Sequence, residues 1–237
     1  MTDPFKLWSY LSSEPLLWLW ATLMAYWIGD LLFRLSGRNP FANPVVVAVV
    51  ILGGVLLSTG TPYQRYFDGA QFVHFMLGPA TVCLAVPLYL NWPKVRRAIL
   101  PIAAGLVVGS ATAILSVLAI AKAMGAGPVL LASLAPKSVT APVAIGISQE
   151  LGGEPSLTAA LVLITGMIGA ITVTPMLNLL GFRDWRARGL AVGVAAHGIG
   201  TARAFQVHET AGAFASIGMG MNAVLTAFLA PLILSLF

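Results

Sequence analysis

Six apolar runs, near residues 16–35, 44–60, 70–90, 98–122, 156–180 and 212–236, leave this chain almost no way to fold in water. About 20 residues in a helix cross a hydrocarbon core of about 30 Å, so each run is a candidate membrane span. Charge is scarce elsewhere too: 9% of the residues are Asp, Glu, Lys or Arg. An ordinary soluble domain carries about 25%. Too little polar surface exists to solvate a globule. The sequence predicts an all-α polytopic membrane protein with about six full spans, the one at 44–60 short and carrying Gly53 and Gly54.

Two further apolar pieces, 127–151 and 188–210, are broken at their centres. The first holds "APKSVTAP" (135–142) and the second "AHGIGTARA" (196–204). Pro136 and Pro142 each remove a backbone donor and disfavour helix at Ala135 and Ala141. Gly198 and Gly200 permit close backbone approach and positive φ. Non-helical backbone at membrane depth is tolerated only where protein buries it or it lines a cavity. Both pieces are expected to be interrupted helices.

Basic loop residues mark the cytoplasmic side. Arg34 and Arg38 follow the first span, Lys94, Arg96 and Arg97 the third, and Arg183, Arg186 and Arg188 the run ending near 180. With an outside N-terminus, alternating spans put the first two clusters inside, and the fourth span exits near Lys122. An odd number of crossings must then separate Lys122 from the third cluster, and 156–180 supplies one. The piece at 127–151 therefore dips in from outside and returns. By the same logic 188–210 enters from the cytoplasm, and the two islands meet from opposite faces. The competing arrangement has each broken piece crossing fully.

An internal repeat points the same way. "LGPATVCLAVPLYLNW", "APKSVTAPVAIGISQELGG" and "HGIGTARAFQVHETAG" each precede a long apolar span, and their Thr81, Thr140 and Thr201 recur about every 60 residues. Duplicated halves are common in transporters. Residues 1–62 are expected to form N-terminal scaffold helices, and 63–237 a transport unit within the same membrane domain. A moving unit needs a fixed one, so a homodimer is expected.

The islands carry the chemistry. A half-helix beginning near Pro142 would present unpaired N–H groups and partial positive charge, suited to an anion. Thr140 is placed to cap it and to contact a ligand. Lys137 and Arg203 stand in apolar surroundings with no acid in either island; a cation at a helix centre costs about 2.5–3.5 kcal/mol, so it faces a cavity or a partner. Arg203 can grip a carboxylate through two parallel bonds, with Lys137 as a point charge. Ser138, Thr140, Thr201, His197, Gly198, Gly200 and Asn222 complete the expected substrate-binding set, with His197 the candidate for proton coupling.

Plainer readings compete. Lys137 could snorkel or pair with Glu150, and Arg203 could pair with Glu209 or a lipid phosphate. His197 and the hydroxyls could serve only backbone groups. Asp30 and Arg34 stand four apart and read as a local ion pair, and His74 reads as structural. The glycine-rich "GAFASIGMGMNAVLTAF" reads as close helix packing.

Much is excluded. Cys83 is the one cysteine, so neither an internal disulfide nor a cysteine metal site is expected. No GxSxG, Walker loop, HExxH or pair of catalytic carboxylates appears. No enzyme and no cofactor are expected. The net charge of +5 belongs to membrane loops, not to a nucleic-acid footprint. The first run lacks a basic leader and an A-x-A site, which predicts a retained helix.

At these islands the sequence resembles the LrgB/CidB family. The stretches that carry the likeness are "LGPATVCLAVPLY", "LAPKSVTAPVAIGI", "LGGEPSLTAALVLITGMIGA", "RGLAVGVAAHGIGTARAF" and "GAFASIGMGMNAVLTAFLAP". Together they cover most of residues 75 to 231. Ala141 and Ala196 depart from it, where many relatives have threonine and serine. The resemblance implies a multi-pass protein of the bacterial inner membrane, in one of two roles. Bacterial members are named for holin-like or antiholin-like control of murein hydrolase activity and lysis, beside a small LrgA/CidA-type membrane partner. Plant relatives carry glycolate and glycerate across the plastid envelope. Cations beside hydroxyls favour a carrier of small monocarboxylates working by alternating access, coupled to protons or a second anion. The alternatives are the lysis regulator and a passive anion channel.

Overall fold

The structure, a computed structural model, describes residues 15–37, 39, 42–83, 86, 89 and 92–237. The side chains of His74, Thr81 and Lys94 lie outside that description, as does most of 84–91, so the first copy of the repeat and the structural reading of His74 fall there. The described residues form two compact units, 1–83 and 84–237.

In the first unit, α1 (Pro15–Leu35), α2 (Pro44–Thr59) and α3 (Tyr63–Cys83) pack together. Asn43 caps α2 by accepting from the Val45 N–H at 2.9 Å. The Arg34 guanidinium meets Asp30 at 2.7 Å, the four-residue pair expected on one helix face. The compact unit ends after Cys83, because α3 packs against α1. Trp18 meets Tyr66 edge-on at 5.8 Å, and the Thr22 hydroxyl donates to Tyr66 Oη at 3.2 Å.

The second unit contains α4 (Trp92–Arg97), α5 (Ile99–Ala123), α6 (Pro128–Leu134), α7 (Ala141–Glu150), α8 (Pro155–Leu179), α9 (Trp185–Val207) and α10 (Glu209–Leu234). Across both units, α1, α5, α8 and α10 are long and apolar enough to cross a membrane, and α2 is apolar but shorter. These recover five of the six expected runs. The sixth, 70–90, overlaps only the second half of α3. The start of α3 carries Gln64, Arg65, Asp68 and Gln71, which dilute its apolar character.

Both broken pieces are hairpins. In α6–α7, the Glu154 N–H donates to Ser133 Oγ at 2.8 Å, and the Thr158 hydroxyl donates to Ser148 Oγ at 2.7 Å. Residues on either side of the Pro136–Thr140 turn are thereby tied together. In α9 the same conclusion follows from its ends. A straight 23-residue helix would separate Trp185 from His208 by roughly 34 Å. Their rings instead stack with centroids 4.8 Å apart. The chain reverses at Ala196–His197, so α9 is two antiparallel limbs.

The hairpins enter from opposite ends of α8. The mouth of the first lies at Glu154 and Thr158, where α8 starts. The mouth of the second packs with Val173, Leu177 and Trp185, where α8 finishes. α8 itself is 25 residues, about 37 Å of helix, enough to cross a bilayer between the two mouths. Full crossing by either broken piece is thereby set aside. Each hairpin is followed by one long helix, α8 or α10, so the unit occurs twice in opposed orientation.

Candidate functional site

The first hairpin tip is made by two successive tight turns. Lys137 N–H donates to the Leu134 carbonyl and Val139 N–H to that of Pro136, both at 3.1 Å. Proline explains the stop: Pro136 cannot donate, and Pro142 sits in the first turn of α7, where no donor is needed. Val139 is fully buried against Ala144 and Val162, which fixes the tip between α7 and α8. Lys137 remains partly exposed, its ammonium donating to Ser138 Oγ at 3.3 Å. No ion pair to Lys137 occurs among the described residues, and Glu150 does not reach it. Thr140 departs from expectation. It stands at the N-cap with φ −59° and ψ 142°, yet its side chain makes no capping bond.

The second tip is strained. His197 has φ 40° and ψ −136°, the one non-glycine residue with positive φ among the described residues. Such a conformation costs on the order of 1–3 kcal/mol and persists only when its surroundings enforce it. Those surroundings are specific. His197 Nε2 lies 2.9 Å from the Val162 carbonyl, which can only accept, so Nε2 carries the hydrogen. The Thr201 hydroxyl donates to the His197 carbonyl at 2.7 Å. A Cβ at Gly166 would stand 2.6 Å from His197 Cε1, and one at Gly169 would strike Ala196 Cβ. Glycine at both positions of α8 admits the tip.

Asn222 joins the tips. Its side-chain amide donates to the Ser138 carbonyl at 3.3 Å and to the Val194 carbonyl at 3.1 Å. Its oxygen accepts from Ser110 of α5 and from Thr226 of α10. At 1% exposure its amide is fully engaged, and it binds the two hairpins to two spans.

The expected set divides accordingly. Ser138 is joined through Asn222 to Val194, three residues before His197, and Lys137 stands beside Ser138. Thr201 supports the His197 tip from behind, fully buried, with no face left for a solute. Gly198 has only Met219 Sδ near its missing side chain, at 3.7 Å, so there is room beside the tip, whereas Gly200 is packed against Ala196 and Val192. Arg203 is not brought to Lys137. It lies down the second limb among Trp185, Arg188 and Val207 at the hairpin mouth, and its Nη1 donates to Gln206 Oε1 at 3.4 Å. The two-cation grip fails because six residues, about 9 Å of helical rise, carry Arg203 away from the tip. Ser110, Val162, Gly166, Gly169 and Thr226 were not expected. Gly166 and Gly169 offered the one available signal, a small-residue spacing of three within an otherwise bulky span.

The profile of the LrgB-like family matches residues 22–236, nearly the whole chain. The chain belongs to that family. This LrgB-family chain is 34% identical over 224 residues to the Holin-like protein CidB of Staphylococcus epidermidis, covering 94% of this chain and 97% of that one. It is 35% identical to the Holin-like protein CidB of Staphylococcus aureus, with the same coverages. It is 38% identical to the Uncharacterized protein YxaC of Bacillus subtilis, covering 84% of this chain and 86% of the relative. No solved structure matches it. The LrgB-family membership and the apolar helices together make this a multi-pass protein of the cell membrane.

Proposed function

We propose that this LrgB-family protein is a holin-like membrane permeability protein whose molecular act is to pass a small monocarboxylate between the two hairpin tips. The observation that carries the proposal is Lys137: an ammonium held on broken backbone inside the protein, without a carboxylate partner among the described residues. A half-buried cation of this kind is costly unless an anion or water neutralises it. A two- or three-carbon hydroxy-acid would set its carboxylate on Lys137 and its hydroxyl on Ser138 or Thr140, using the room beside Gly198. His197 Nδ1 is the ring atom left to take up a proton, which suits proton coupling. Opposed hairpins that meet at one site are the elements expected to rock or slide for alternating access. The working unit is a homodimer, with a small LrgA/CidA-type protein as the membrane partner, acting as a carrier and not as a catalyst.

The printed names of the relatives favour a second emphasis, in which the output is control of envelope integrity and lysis. Liposomes holding the purified protein separate the two. Saturable, trans-stimulated uptake of labelled glycolate that is lost in Lys137→Gln supports carriage. Linear flux means a channel. No flux of any short carboxylate, together with altered autolysis in cells, leaves the lysis regulator as the function.

A further inference from the structure

A groove of about 690 Å³ runs along α5 and the first limb of α9, apart from the tip site. Gly105, Gly109 and Ala113 line it from α5, and Ala187, Ala191 and Ala195 from α9, each set recurring every four residues along one helix face. Gly105, Ala191 and Ala195 are exposed at depths where a bilayer is apolar. Arg97, Asp184 and Arg186 stand at one end, and no hydroxyl or amide side chain lines the remainder. Lys137, His197 and Thr201 are not among its walls. A small hydrophilic acid would find no donor below the mouth.

Length and charge fit an amphiphile. About 22 Å of helical rise separates Ala98 from Ala113. One leaflet has about 15 Å of hydrocarbon beneath a headgroup layer of about 5–7 Å. Arg186 is held by Asp184 at 2.6 Å, which largely cancels its charge, while Arg97 is exposed and forms no ion pair among the described residues. Arg96 and Arg183 add positive charge in the adjoining segments. Juxtamembrane arginines attract anionic headgroups. We propose that this groove holds one acyl chain of an anionic phospholipid from the leaflet bordering Arg97, with the lipid phosphate at Arg97.

The single cysteine makes the test direct. A bimane probe is attached at Ala191→Cys in a Cys83→Ala background, with the full chain in nanodiscs. The expected result is that phosphatidylglycerol with brominated acyl chains quenches the probe, with about fivefold preference over brominated phosphatidylcholine. Arg97→Gln should bring the two lipids level. The probe comparison alone decides the matter if that variant fails to fold. Equal quenching by both lipids in the parent protein overturns the proposal. So does quenching by brominated fatty acid but not by phosphatidylglycerol. Strong quenching by aqueous iodide without lipid quenching would make the groove a water-filled path. Quenching by neither would mean that protein covers it.

Discussion

The imidazole of His197 fills the space that a side chain at residue 166 would need: a Cβ there would lie 2.6 Å from Cε1 and 2.7 Å from Nε2. Gly166 is therefore a notch in α8, and the strained tip of the second hairpin rests in it. Gly166→Ala should cost about 1–3 kcal/mol, the range for an inserted methyl group in a packed core. Thermal unfolding in detergent measures this. In a His197→Ala background Gly166→Ala should cost less than it does alone, because only the contact with Ile199 Cδ1 then remains. Simple additivity would show that the two residues do not touch.

Asn222 is predicted to be worth more to the fold than its size suggests. Asn222→Ala strands the carbonyls of Ser138 and Val194, which the amide now satisfies. Each buried group left unpaired costs about 1–3 kcal/mol. The melting temperature should fall, and the backbone amides of both tips should exchange faster with deuterium, since both lose the same anchor. Protection lost at one tip alone would contradict the bridging role.

Lys137 and Arg203 should separate in a ligand assay. Glycolate or glycerate should raise the melting temperature of the parent protein and of Arg203→Gln, whose side chain belongs to the hairpin mouth. It should leave Lys137→Gln unmoved. Lys137→Arg should respond weakly, because a planar fork does not replace a point charge in a tight turn.

Acid sensitivity at the Asp184 end of the second hairpin has a defined sign. The side-chain hydrogen bond from Arg186 holds the Asp184 carboxyl down to about 2, from an ordinary 3.8. Its folded value is depressed, so its contribution is complete above the ordinary value and disappears as pH falls from near 4 toward 2. The group is half exposed and the contribution correspondingly small. Asp184→Asn should flatten that part of the stability profile and lower the plateau above pH 5 by a small amount that does not vary with pH. A loss of stability confined to neutral pH would contradict the assignment.

Much of this architecture could be read from residue order. Pro136, Pro142, Gly198 and Gly200 marked both breaks, and the spacing of Arg97, Lys122 and Arg186 favoured a return of the first broken piece to its own side, with full crossing left as the alternative. Those signals are local or count crossings, and both survive folding. Partnerships between distant segments were not legible. Nothing in the sequence couples Asn222 to Ser138 and Val194, or Gly166 to His197, because each pairing depends on how two hairpins lie against two spans. The place of Arg203 was not legible for a related reason. Its charge stood out within the island, but the reversal at His197 sends the second limb back toward the mouth, taking the guanidinium with it. α3 is polar at its start and apolar at its end, and composition alone could not say which neighbours it would pack against.

Uptake of labelled glycolate by liposomes containing the parent protein, Lys137→Gln and Arg203→Gln in parallel tests the central claim most directly. The account predicts saturable, counter-substrate-stimulated uptake for the parent and for Arg203→Gln, and background uptake for Lys137→Gln. Uptake by Lys137→Gln equal to the parent's, or none by the parent for any two- or three-carbon carboxylate, would contradict it.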